Sequence, residues 1–163
     1  RSDRRFPHTL RVVVAPERAV LLLRRGSKGW VVSARGRVLR PVNNTRLSSL
    51  PRAWVPAGTS IEVGKMLPAA GVGAAATVLA PIAGTRFPAR IRTGRAGKDA
   101  LTLVLGSGVE IRLGDVGDVR LKLAVARRIL VLLGADSSAT YLDVSVPERP
   151  VVGGLDPQVG STG

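Results

Sequence analysis

Gly108-Val109-Glu110-Ile111-Arg112-Leu113, followed by Gly114-Asp115-Val116-Gly117-Asp118, is the stretch that decides the fold. Its first six residues alternate apolar with polar, the period of a strand with one buried face; the next five break that period with two glycines and two aspartates. A helical period follows. Val119, Leu123, Ala126, Ile129, Leu130 and Leu133 recur on one face at three- and four-residue spacing, while Arg120, Lys122, Arg127 and Arg128 can reach water. Asp115 or Asp118 is placed to cap the helix near the positive end of its dipole, and Gly134 suits a left-handed C-cap. Alternation returns in Thr140-Tyr141-Leu142-Asp143-Val144-Ser145-Val146. That run sets Leu142, Val144 and Val146 on one side and Tyr141, Asp143 and Ser145 on the other, until Pro147, which has no amide hydrogen for a ladder, ends it.

Upstream, residues 87–93, 101–105 and 109–113 read as an antiparallel meander with turns at 94–98 and 106–108, on which the helix at 117–133 packs. Residues 30–33 and 38–40 flank a turn at Arg35-Gly36 and form a hairpin, and Ala53-Trp54-Val55 is a short strand between prolines. At the start, residues 9–14 and 19–23 read as a strand pair around Ala15-Pro16-Glu17-Arg18. Residues 66–85 carry no charge, yet Pro68, Pro81, three glycines and many alanines leave too few large apolar side chains for a membrane span. A helix at about 69–79 is the better assignment. The fold class expected is α+β: a mostly antiparallel sheet with helices packed on it and the C-terminal strand at or near a sheet edge.

Composition narrows the functional classes. The 163 residues contain no cysteine, which excludes disulfides and thiolate metal sites. The net charge of +14 is uneven: thirteen basic residues against two acidic ones in 1–54, six against two in 55–108, and six against seven in 109–163. Such a surface attracts anionic membrane head groups, wall polymers or nucleic acid, with a strength that falls as salt rises. The alternative is a set of arginines on solvated faces.

Catalytic chemistry finds no constellation. His8, the single histidine, stands at the start of a strand, and no serine lies in a G-x-S-x-G elbow. Asp115 with Asp118 reads as capping rather than as a metal or acid pair. Gly71-Val72-Gly73-Ala74-Ala75-Ala76 has the form of a dinucleotide loop but lacks a preceding buried strand and a following acid; small residues packing a helix explain it better. Asn43-Asn44-Thr45 is a sequon by chance. Nucleic-acid binding has the charge but not the aromatic platforms, since Trp30 and Trp54 sit in apolar contexts that suit core packing.

The strand ending Leu113-Gly114-Asp115, the Leu121-Lys122-Leu123 helix start and above all Tyr141-Leu142-Asp143-Val144-Ser145-Val146-Pro147-Glu148-Arg149-Pro150 occur in an order that resembles the C-terminal end of the FtsQ/DivIB family of bacterial division proteins. The resemblance extends more weakly to Phe6-Pro7-His8-Thr9-Leu10-Arg11-Val12. It implies that residues 1–26 are the terminal strands of a truncated POTRA module, 27–150 an FtsQ-type β domain and 151–163 a disordered tail. It also implies a missing upstream membrane anchor and a place on the extracytoplasmic face of the cell membrane at the division septum. The implied function is non-enzymatic and without cofactor: a divisome scaffold that binds FtsB/FtsL-like partners through its C-terminal strand. Tyr141, Leu142, Asp143, Val144, Ser145, Val146 and Arg149 are the expected partner-binding residues. An exposed terminal strand accepts an added strand through its main chain, with outward side chains setting selectivity. The alternative function is a basic nucleic-acid-binding module.

Overall fold

The computed structural model describes residues 2–5, 9–43, 49–55, 58–68, 71–83, 85, 87–97, 100–134 and 138–154, with backbone only for those up to 11. In chain order the elements are β1 (Ser2–Arg5), β2 (Thr9–Val12), β3 (Ala19–Arg25), β4 (Lys28–Ser33), β5 (Val38–Val42), β6 (Arg52–Trp54), α1 (Val72–Leu79), β7 (Ile91–Ala96), β8 (Leu101–Leu105), β9 (Glu110–Gly114), α2 (Val119–Leu133), β10 (Tyr141–Asp143) and β11 (Val151–Gly153). The expected α+β class holds. Nine strands form one mixed, mostly antiparallel sheet in the order β11-β10-β9-β8-β7-β6-β3-β4-β5, and β1 with β2 forms a separate antiparallel pair.

Three neighbouring pairs are parallel: β3 with β6, β6 with β7, and β9 with β10. A parallel neighbour cannot be reached by a tight turn, and the β6–β7 and β9–β10 crossovers are the segments that contain α1 and α2. Both helices lie on the same side of the sheet. Ala75 and Ala76 of α1 and Leu123 and Ala126 of α2 join Leu23, Leu103, Ile111 and Leu142 of the strands in one apolar core. The close approach of α1 to the sheet depends on small residues, since a Cβ on Gly94 would meet the Ala75 methyl at 3.4 Å; Gly73 in turn lets the chain at Pro68 lie against the start of the helix, where a Cβ would clash with the Pro68 carbonyl. The Gly-x-Gly-x-x-Ala stretch is therefore a packing motif. Gly94, expected in a turn, lies inside β7 for the same reason.

The first expected strand pair does not form. β2 pairs with β1, and β3 pairs with β4 and β6: Val20, Leu21, Leu22 and Leu23 are all buried, as befits a strand inside the sheet with a neighbour on each side. β3 thus belongs to the nine-stranded sheet and not to the β1–β2 pair. At the far edge, β5 accommodates Pro41, as an edge strand can. The β6–β7 seam is thin: its one register pair is Arg52 with Thr93.

Helix α2 buries a narrower stripe than its period suggests. Leu123 and Ala126 are buried, whereas Val119, Ile129, Leu130 and Leu133 are half-buried. Lys122, expected in water, is buried, and its Nζ lies 2.7 Å from Oδ1 of the exposed Asp115. The same oxygen accepts the Gly117 N–H at 2.9 Å, and these contacts, the Lys122 hydrogen bond first, hold the Asp115 carboxyl below its ordinary range. Asp115 thus ties the turn to the helix without capping it. Asp118 occupies the N-cap position in a left-handed conformation (φ 46°) and makes no side-chain cap bond. Gly134 ends the helix at φ 70°, as its lack of a Cβ permits.

Candidate functional site

The C-terminal strands are positioned by β9. β10 runs parallel to it, with Tyr141 opposite Glu110, Leu142 opposite Ile111 and Asp143 opposite Arg112. β11 then returns antiparallel, with Tyr141 opposite Gly153, Leu142 opposite Val152 and Asp143 opposite Val151. The C-terminal strands are at the sheet edge, as expected, but the outermost is β11, and β10 is one strand in. The main chain of residues 141–143 is therefore engaged on both sides. A tail disordered from residue 151 is corrected for Val151–Gly153; residues 155–163 lie outside the described residues.

The seven expected partner-binding residues separate by environment. Leu142 and Val144 have no exposed surface and belong to the core; the Val144 N–H donates to the Arg112 carbonyl at 2.9 Å. Asp143 Oδ1 accepts the Ser145 N–H at 2.9 Å and its hydroxyl at 2.6 Å, which fixes the bend that ends β10. Ser145, Val146 and Arg149 are exposed in the β10–β11 connection, where the Arg149 N–H donates to the Val146 carbonyl. Tyr141 is half-buried: the Arg112 guanidinium carbon lies 3.9 Å from its ring centroid, and the ring fills the space a side chain at Gly153 would occupy. An aromatic laid across a cross-strand glycine supplies the packing that the glycine lacks. Val151 and Val152 were missed by sequence reasoning. Their signal was two β-branched residues after Pro150, masked by the Gly, Ser and Pro composition beyond them.

Register also defines the sheet face opposite the helices, since paired residues share a side. One row runs Arg40, Val31, Leu22, Arg52, Thr93, Val104, Glu110 and Tyr141; a second holds Arg24 and Trp54, then Arg95, Thr102, Arg112 and Asp143. Leu22, Val31 and Val104 are buried here, outside the helix-side core. The acids Glu110 and Asp143 lie only on β9 and β10, and Glu110 pairs with Arg95 at 2.8 Å and Arg112 at 3.8 Å. From β5 to β7 these rows carry arginines and no acid.

The two tryptophans occupy different environments. Trp30 is buried beneath the Arg25 guanidinium, 5.3 Å from its ring centroid, whereas Trp54 is 54% exposed on the open face and is corrected from a core residue. Beside it, where β6 and β7 diverge past their one pair, a cavity of about 510 Å³ opens, lined by Trp54, Arg92, Thr93, Arg95, Val104 and, from α1, Val72.

Two further features bear on chemistry. The Ser33 hydroxyl and then the Arg37 guanidinium hold the Glu17 carboxyl below its ordinary range, and the Arg37 Nε donates to Glu17 at 3.0 Å. No group of three His, Asp or Glu side chains able to hold a metal occurs among the described residues, and His8 lies outside them. Among the described residues no helix is long and apolar enough to cross a membrane. A scan against protein-family models found none that matches the chain, and a search of curated proteins found no match.

Proposed function

We propose that this protein is a non-enzymatic docking scaffold of the FtsQ/DivIB kind, which receives FtsB/FtsL-like division partners at its C-terminal strands on the extracytoplasmic face of a bacterial membrane. The observation that carries the reading is the edge itself. β11 ends the nine-stranded sheet, no described strand pairs with its outer side, and Val151 on it is 52% exposed. An edge of this kind presents main-chain donors and acceptors to an incoming strand. Tyr141 acts one strand in, by holding β11 flat at Gly153. The resemblance of residues 141–150 to the division family supplies the identity of the partner.

The test places a charge on the edge. Val151→Lys is exposed enough to leave the core intact, and lysine on an edge strand opposes further pairing. Titration with an FtsB/FtsL-like partner should show binding about 10-fold weaker or worse, a loss of roughly 1.4 kcal/mol, at an unchanged melting temperature. Leu121→Lys, on the exposed side of α2, should bind as the parent does. Parental affinity in Val151→Lys would remove β11 as the docking edge.

A further inference from the structure

We propose that the notch between β6 and β7 is a binding site for an anionic saccharide, with a sugar ring stacked on Trp54 and its carboxylate or phosphate held by Arg92. This site is independent of the β11 edge, from which β7 is four strands and β6 five strands away in the sheet order. Trp54 is 54% exposed and takes no part in the core: Ala53 supplies the core contact of β6, and the indole stands on the helix-free face. What marks the place is the ring together with a cavity whose lining mixes apolar and cationic side chains. The volume of about 510 Å³ falls in the range of small-molecule sites, roughly 300–1,000 Å³.

The chemistry of the lining selects the ligand. Arg92, at the bulge of β7, is exposed and makes no ion pair among the described residues; Arg95 beside it already holds Glu110. Arg24 on the neighbouring strand β3 adds positive potential, with no acid in its row up to β7. The planar guanidinium takes a carboxylate or phosphate in two-point contact. Thr93 adds a hydroxyl to the lining, and Val72 and Val104 give the apolar part. A pyranose fits this mixture, because one face presents C–H groups to an indole and its rim presents hydroxyls. Single-stranded nucleic acid, the other polyanion with rings, is favoured by a row of stacking aromatics. Among the described residues one free ring is offered on this face: its second aromatic, Tyr141, is engaged by Arg112 and packed against Gly153.

The experiment is a titration of the whole chain with a hyaluronan hexasaccharide, in which glucuronate alternates with a neutral amino sugar, followed by tryptophan fluorescence and calorimetry. Saturable binding with a fluorescence change is expected. Trp54→Ala should abolish that change and weaken binding about 3- to 10-fold at an unchanged melting temperature, while Trp54→Phe retains most of the affinity. Arg92→Gln should weaken binding and flatten its salt dependence. Absence of binding, or Trp54→Ala binding like the parent, overturns the proposal. So does polyphosphate binding as tightly as the saccharide, which reduces the site to charge. Oligo-dT binding more tightly with the same Trp54 response also overturns it, in favour of nucleic acid.

Discussion

Replacing Tyr141 by alanine tests how β11 is held. The ring is half-buried, faces the Arg112 guanidinium at 3.9 Å and occupies the space above Gly153. A half-buried aromatic ring withdraws roughly 80–100 Å² from water, about 2–2.5 kcal/mol at ~25 cal/mol per Å². The cation–π contact adds about 0.5–1 kcal/mol. The loss of about 3 kcal/mol falls on a ladder of three register pairs, so β11 should open locally before the sheet melts. The Thr140 N–H reports this opening, since it donates to the Gly153 carbonyl at 2.9 Å. Hydrogen exchange followed by NMR should show its protection reduced on the order of 100-fold when reclosing is fast, with the Leu103 and Ile111 amides little changed. Tyr141→Phe keeps the ring and should keep the protection. Unchanged Thr140 protection in Tyr141→Ala would refute the argument that the tyrosine secures the edge strand.

Leu123→Asp should cost about 3 kcal/mol or more, because Leu123 is 4% exposed and a carboxylate there meets the apolar core; Arg127→Ala, on the exposed face, should stay within about 0.5 kcal/mol. Equal losses in urea titrations of the two variants would show that the buried face of α2 is misassigned. Acid should weaken the fold through Asp115 and Glu17, whose carboxyls titrate below their ordinary values of 3.8 and 4.5 in the folded state. Their stabilisation is present above those values and is lost as pH falls through the lower folded values. Asp115→Asn should flatten the decline of the urea midpoint below about pH 4, and an unaltered acid limb would contradict the Lys122 contact.

What the sequence made legible followed its periodicity. The alternation of residues 108–113 and the three-to-four spacing after Asp118 correspond to β9 and α2, and the run of small residues at 71–76 to a helix pressed against Gly94. Strand partners were less legible, because alternation says which residues share a face and not which strand lies beside which. The continuous burial of residues 20–23 was the sign of a central strand, but adjacency in sequence favoured a hairpin with 9–14. Trp54 and Lys122 were misread in opposite directions. Trp54 is flanked by apolar neighbours that serve the other face of its strand, and Lys122 lies buried with its ammonium bonded to Asp115, seven residues earlier. The candidate partner residues were found as a contiguous run, although strand geometry sends Leu142 and Val144 into the core and leaves the outer edge to a segment eight residues on.

The thin β6–β7 seam gives the molecule a mechanical grain. β3 to β6 form one half of the sheet and β7 to β11 the other, and the strand-to-strand bond between them is a single register pair. α1 spans the joint by packing on β3, β6 and β7 with eight residues, most of them small. The N-terminal segment leads into the first half, whereas the β11 edge closes the second. A tug between that segment and anything gripping β11 is therefore carried across the strands, where hydrogen-bonded ladders unzip rung by rung. The joint has a single rung to lose, so tension would reach the alanine brace of α1 almost at once, and the two halves would separate there before either was torn.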